Sequence, residues 1–248
     1  MLPMLHAFVT AVLLTAPASR NATACQDSAS PKPSSLVPAP REQEGAKRRQ
    51  EELLRRARES DPCPIVFVGD SITQSWEGPG QGVWAEKLAP LGSLNLGNSG
   101  DRTENVLWRL REAPLTRLAP RHVVLLIGTN NLGHGTSNAD ETLAGIVAVA
   151  QQLAAQCPDA TIHLLEIFPR GERFNPMRGD ILQINQALRA FVATENATAG
   201  GDRFRSHAIG DRFVRPDGSI PREIMPDFLH LTPAGYTVWA DAIVPELR

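Results

Sequence analysis

The chain has 248 residues, 42% hydrophobic and 21% charged, with a formal net charge of −2. That balance suits one soluble α/β domain with extensions. It gives no electrostatic case for a nucleic-acid partner, because Lys and Arg are interspersed with acids rather than gathered into a patch. Residues 1–24 read as an export signal: AFVTAVLLTA (7–16) is too short an apolar core to span a bilayer and is followed by small residues. Ala16-Pro17-Ala18 and Ala22-Thr23-Ala24 both fit small-x-small cleavage, which predicts an exported protein in the periplasm, at the cell envelope or outside the cell. Cys25, directly after Ala-Thr-Ala, is the alternative signal, a lipid-anchor cysteine, although Arg20 interrupts the approach to it. Residues 25–41 are rich in Ser and Pro, cannot bury a core, and predict a flexible linker. The remaining domain, 42–248, carries Cys63 and Cys157, two thiols without metal-ligand spacing or a disulfide framework.

The domain opens with a charged helix over 42–60 whose narrow apolar edge is Leu53, Leu54 and Ala57. From residue 64 the pattern alternates. IVFVG (65–69), SLNLG (93–97), HVVLLIG (122–128) and TIHLLEIF (161–168) read as strands, and a weak fifth strand lies over 204–209. VWAEKLA begins to look helical, and helices are predicted over 103–112, 139–156 and 181–196. Thr232-Pro233 starts the last helix, with Thr as N-cap and Pro in the first turn. Apolar strands alternating with helices predict a five-stranded parallel sheet covered on both faces, a three-layer α/β/α flavodoxin-like fold.

In such sheets the ligand crevice lies beyond the carboxyl ends of the strands, where the strand order reverses. The residues that follow each strand therefore have to make chemical sense together. They are Gly69-Asp70-Ser71, Gly97-Asn98-Ser99-Gly100-Asp101 and Gly128-Thr129-Asn130-Asn131, with Asp227-Phe228-Leu229-His230 before the last helix. The set supplies a hydroxyl nucleophile, a base with an orienting carboxylate, and donors for an oxyanion, which are the parts acyl transfer needs. Taken singly, Asp70 and Ser71 could merely cap a helix, Gly100 could be a turn glycine, and Asp227 with His230 a structural pair. His134 is the other histidine placed near the edge of such a site.

These four blocks, in this order, resemble the SGNH (GDSL-type) esterases over roughly residues 47–247. Within them NVLWRL (105–110), GTNN (128–131), PRGERFNP (169–176) and DFLHLT (227–232) look closest to the catalytic subunits of intracellular platelet-activating-factor acetylhydrolase. The resemblance implies Ser71 as nucleophile, His230 as general base and Asp227 as its orienting carboxylate. The oxyanion would rest on the backbone N–H groups of Ser71 and Gly100 and on the Asn130 amide. Ile72, Thr129 and Leu229 would wall a small acyl pocket.

The resemblance further implies hydrolysis of small, acetyl-like carboxylic esters without a metal or cofactor, and subunits that can pair as a homodimer. The substrate could be a small-molecule, glycan or lipid ester. The reading from another class is a catalytically idle polysaccharide- or lipid-binding domain on the same scaffold. Other enzyme classes fit worse: the G-x-S-x-G elbow lacks its second glycine at Thr73, GPGQG (78–82) lacks the Lys of a phosphate loop, and no zinc-ligand spacing occurs.

Overall fold

A computed structural model describes residues 32–248. The expected signal peptide and Cys25 lie outside the described residues. Five short strands form the core: β1 (Ile65–Gly69), β2 (Ser93–Gly97), β3 (His122–Leu126), β4 (Thr161–Leu165) and β5 (Phe204–His207). All neighbours are parallel, and the order is β2-β1-β3-β4-β5. The order reverses beside β1, so the loops leaving β1 and β3 diverge and open a crevice at their carboxyl ends.

The helices, in chain order, are α1 (Glu44–Glu59), α2 (Ser71–Gln74), α3 (Gln81–Val83), α4 (Thr103–Glu112), α5 (Thr129–Gly133), α6 (Ala139–Gln156), α7 (Pro176–Ala199) and α8 (Pro233–Ile243). Alternation along each strand divides the core into two layers. Val66, Val68, Val123, Leu125, Ile162 and Leu164 pack with Leu53 of α1, Leu110 of α4, Val149 of α6 and Leu188 of α7. Phe67, Val124, Leu126 and Leu165 pack on the other side with Ile72, Trp76, Tyr236 and Trp239. Helices on both faces explain why the strands read as apolar throughout.

Local signals account for most boundaries. The Asn138 side chain accepts the Glu141 N–H at 2.9 Å while Glu141 accepts the Asn138 N–H at 3.0 Å, a reciprocal cap that fixes the start of α6. Such a cap is worth about 1 kcal/mol. The helix expected over 181–196 starts five residues earlier, at Pro176, because Asn175 accepts the Arg178 N–H and Pro176 suits the first turn. The helical VWAEKLA stretch is a broken element: α3 passes into a π turn, Trp84–Leu88, and stops at Gly92 with φ 73°.

The linker expected over 25–41 is not free through 32–41. Ser35 is fully buried and its carbonyl accepts the Thr103 hydroxyl at 2.9 Å. Ala39 donates its N–H to Glu104 O and accepts the Asn105 amide at 3.0 Å. These residues are held by hydrogen bonds to the first turn of α4, from the Thr103 hydroxyl and the Asn105 side-chain amide and to the Glu104 carbonyl, rather than by apolar burial. Composition registers only the missing apolar side chains. Cys63 and Cys157 are free thiols, both pushed up to about 11 by burial.

Candidate active site

β1 ends where its neighbours come closest. A Cβ on Gly69 would lie 2.2 Å from the Thr73 hydroxyl and 2.4 Å from the Leu126 carbonyl, so only glycine fits. The next residue, Asp70, accepts the Ile72 N–H at 2.9 Å and caps α2. The capping function belongs to Asp70 and leaves the Ser71 side chain at liberty. Ser71 Oγ lies 2.9 Å from His230 Nε2.

His230 is presented by the turn before α8. Its Nδ1 is 2.6 Å from Asp227 Oδ2, while Asp227 Oδ1 accepts the N–H groups of Leu229 and His230 at 3.1 and 2.8 Å. This pattern assigns the ring proton to Nδ1, donated to the carboxylate, and leaves Nε2 to accept the serine hydroxyl. Partial burial works against the Asp227 carboxylate, but the hydrogen bonds and charge of His230 prevail and hold it below its ordinary range. The turn requires Phe228 at φ 59°, a left-handed conformation uncommon outside glycine. The Arg222 guanidinium lies 4.5 Å from the Phe228 ring centroid, over its face.

The loops after β2 and β3 are tied to this point. Asn98 donates its N–H to Gly69 O at 3.1 Å, and Gln74 Oε1 accepts the Ser99 N–H at 2.7 Å. Gly100 has φ 75°. One amide proton of Asn130 goes to Asp101 O at 2.9 Å, and its second remains as a donor. Asp101 is the hub of this loop. Its carboxylate accepts Asn98 Nδ2 at 3.0 Å and pairs with Arg109 at 2.9 Å, although burial pushes its acidity down.

Three features of the site lie beyond the sequence expectations. Arg170 donates to the Thr129 carbonyl and hydroxyl at 3.1 and 3.2 Å and is felt by both Asp70 and Asp227. It lies in the PRGERFNP run, which marked the segment but not the role of this side chain. Tyr236 donates its hydroxyl to Ile72 O at 2.6 Å, joining α8 to α2. Asp70 is fully buried and pushed up to about 7, first by burial and then by Asp101, against the Ile72 N–H and Arg170.

Of the expected acyl-pocket residues, Ile72 is buried and joins the partly buried Leu229 in the apolar layer beneath the site. Thr129 is buried with its hydroxyl engaged by Arg170. His134 has its pKa lowered by burial and then by Arg102, Arg41 and Arg170. A separate groove of about 870 Å³ runs beside α7 and the 208–216 segment, and neither Ser71, Asp227 nor His230 lines it.

A family profile described as GDSL-like Lipase/Acylhydrolase matches residues 67–238. The chain belongs to this family. It is 38% identical over 173 residues to platelet-activating factor acetylhydrolase IB subunit alpha1 of Homo sapiens, covering 70% of each chain. It is 37% identical over 172 residues to the alpha2 subunit of Rattus norvegicus, covering 69% of this chain and 70% of that one. A solved structure described as a putative platelet activating factor from Streptococcus pneumonia superposes with a TM-score of 0.68 at 24% identity, covering 82% of this chain and 92% of that one. A GDSL-like lipase from Bacteroides thetaiotaomicron gives 0.59 at 24% identity, with 82% and 96% covered. Membership of the GDSL-like acylhydrolases makes the chain a hydrolase of the esterase type and agrees with its five-stranded parallel sheet.

Proposed function

We propose that the chain is a serine esterase for small, acetyl-like esters, working through Ser71, His230 and Asp227. Ser71 Oγ attacks the ester carbonyl carbon while its proton passes to His230 Nε2. The carbonyl oxygen becomes an oxyanion and takes hydrogen bonds from the Ser71 and Gly100 N–H groups and the second Asn130 amide proton. Collapse returns the proton from His230 to the leaving alcohol and leaves an acyl-Ser71. Water, deprotonated by the same nitrogen, then releases the carboxylic acid and restores Ser71. Asp227 keeps the imidazole in the required tautomer and stabilises the imidazolium that forms. Each oxyanion donor is worth about 3 kcal/mol in the transition state. The steps call on no metal or cofactor.

The observation that carries this reading is the continuous relay Ser71 Oγ–His230 Nε2, 2.9 Å, and His230 Nδ1–Asp227 Oδ2, 2.6 Å. The acetyl preference is supported by the acetylhydrolase names of the 38%-identical relatives. The decisive experiment is turnover of p-nitrophenyl acetate by the wild type and by Ser71→Ala, beside acetylated sugars as alternative substrates. Wild-type turnover should vanish in the variant while its thermal unfolding is unchanged. A variant retaining near-wild-type turnover would overturn the assignment of Ser71.

A further inference from the structure

The turn after β2 that carries Gly100 is short and polar, and α2 holds it from one side through Gln74. Its other side is closed by Arg41, from the segment that precedes α1. Arg41 Nη1 donates to Ser99 O at 2.8 Å and pairs with Asp101 Oδ1 at 3.4 Å, and Nη2 donates to Gln43 Oε1 at 3.1 Å. The guanidinium lies directly against Gly100: a Cβ there would come within 2.9 Å of both Nη atoms. Only 12% of the Arg41 side chain is exposed. The residues on either side of Gly100 are thus gripped by one charged group, by the carbonyl of Ser99 and the carboxylate of Asp101.

Arg41 is itself anchored. Its N–H donates to Gln50 Oε1 at 3.0 Å, and Gln50 is buried in α1. Two residues earlier, Ala39 is bonded through both its N–H and its carbonyl to the first turn of α4. Asp101 also pairs with Arg109, so its carboxylate is shared between two guanidiniums behind the Gly100 turn. Arg41 itself lies outside residues 67–238, where the family profile matches, whereas the turn it grips lies inside them.

We propose that Arg41 is a positioning residue for the oxyanion donors: it fixes the 99–101 turn so that the Gly100 N–H faces the reacting carbonyl. The proposal rests on the serine-esterase reading above. Donors aimed at a developing charge act only if their geometry is set before reaction, and a displacement of about 1 Å at such a group can cost on the order of 100-fold in rate. Charge-assisted bonds from a planar guanidinium are suited to hold two acceptors at once, which a lysine ammonium does less well.

The test measures kcat and KM separately for p-nitrophenyl acetate with Arg41→Ala and Arg41→Gln in the full chain. Both variants should lose roughly 10- to 100-fold in kcat with KM within about twofold of wild type. The rate at which an organophosphonate labels Ser71 should fall by a similar factor, and added guanidinium ion should restore part of the kcat of Arg41→Ala. Arg41→Gln, nearly as long and uncharged, is the variant to read if Arg41→Ala does not fold. A kcat within twofold of wild type overturns the proposal. So does a raised KM with unchanged kcat, which would make Arg41 a substrate-binding group. A loss that follows the unfolded fraction and ignores guanidinium overturns it as well. Failure of the esterase reading is separate, because it appears as an inactive wild type or an active Ser71→Ala.

Discussion

Asp227 holds His230 twice, by Oδ2 to the ring Nδ1 at 2.6 Å and by Oδ1 to the backbone N–H at 2.8 Å. One carboxylate therefore fixes both the orientation of the imidazole and the turn it stands on. The Phe228 backbone at φ 59° makes this possible, since it bends the chain back over three residues. A non-glycine residue kept in that conformation two residues before the proposed general base, His230, is where strain is expected to be retained for function.

Asp227→Asn separates these two duties. The amide oxygen can keep the backbone bonds, but an amide N–H would then face Nδ1 and favour the tautomer with its proton on Nε2. The variant should fold, with an unfolding temperature within a few degrees of wild type, and lose on the order of 10²- to 10⁴-fold in kcat. Steady-state kinetics beside thermal unfolding decide it. A loss of less than tenfold would mean that the carboxylate serves the turn alone.

Acyl-chain length is the next measurable consequence. On the proposed small-ester reading Ile72, Thr129 and Leu229 wall the acyl site; Ile72 and Leu229 share one apolar layer and Thr129 is pinned by Arg170, which leaves them little room to repack. Acetyl and propionyl esters should be cleaved well and octanoyl esters poorly. Discrimination should be about 1–3 kcal/mol for each methylene that no longer fits. Leu229→Ala should move the optimum toward butyryl or longer esters. A p-nitrophenyl ester series run on both proteins is the measurement, and a wild type that prefers octanoyl would sink the small-acyl reading.

Much of this was legible in the sequence, and for physical reasons. Strands buried on both faces are apolar without interruption, so β1 to β4 announce themselves, and the polar residues that end them mark the crevice. The start of α8 was readable because Thr232 and Pro233 are local signals. Asn175-Pro176 carries the same kind of signal for α7, five residues ahead of the 181–196 stretch in which the helical pattern shows. Arg41 was hidden because its segment is fixed by hydrogen bonds to α4 and to the Gly100 turn, partners 58 to 66 residues away that no local pattern reveals. Arg170 and the left-handed Phe228 are likewise properties of the assembled loops.

Asp70 gives a pH dependence of one sign. Burial pushes its carboxyl up to about 7, against an ordinary value of 3.8. Between those values the unfolded chain releases the proton and the folded chain keeps it, so this group's contribution to stability is lost as pH rises through that window. Asp70→Asn keeps an acceptor for the Ile72 N–H and cannot ionise. Its unfolding temperature relative to wild type should therefore rise between pH 4.5 and pH 8, whatever the absolute difference. Buried Trp76 and Trp239 provide the fluorescence signal. A difference that stays constant with pH would show that Asp70 is ionised in the fold at no cost.

The row of histidines on the α8 side of the sheet predicts the opposite sign. His122 Nδ1 meets His163 Nε2 at 3.0 Å, and His163 Nδ1 meets His207 Nε2 at 2.9 Å, so one bonded line crosses β3, β4 and β5. His163 is fully buried and is pushed down to about 3 by burial, then by His207, His122 and Arg205. Its two neighbours are lowered as well, by burial and by Arg205, with Arg121 acting on His122 and Glu246 opposing at His207. Below about 6.5 the unfolded chain takes up protons that the folded row refuses, so stability is lost as pH falls from there toward 3. Each N–H···N bond in the row needs one lone pair, and protonating His163 would remove the one it offers. His163→Gln should cost about 1–3 kcal/mol near pH 7.5, where the row is neutral and its bonds are intact. The same variant should approach the wild type as the pH falls to 5, because the wild type alone carries the penalty of keeping this ring neutral. Urea unfolding at pH 7.5, 6 and 5 reads both effects, and a gap between the two proteins that does not narrow on acidification would place the acid sensitivity elsewhere.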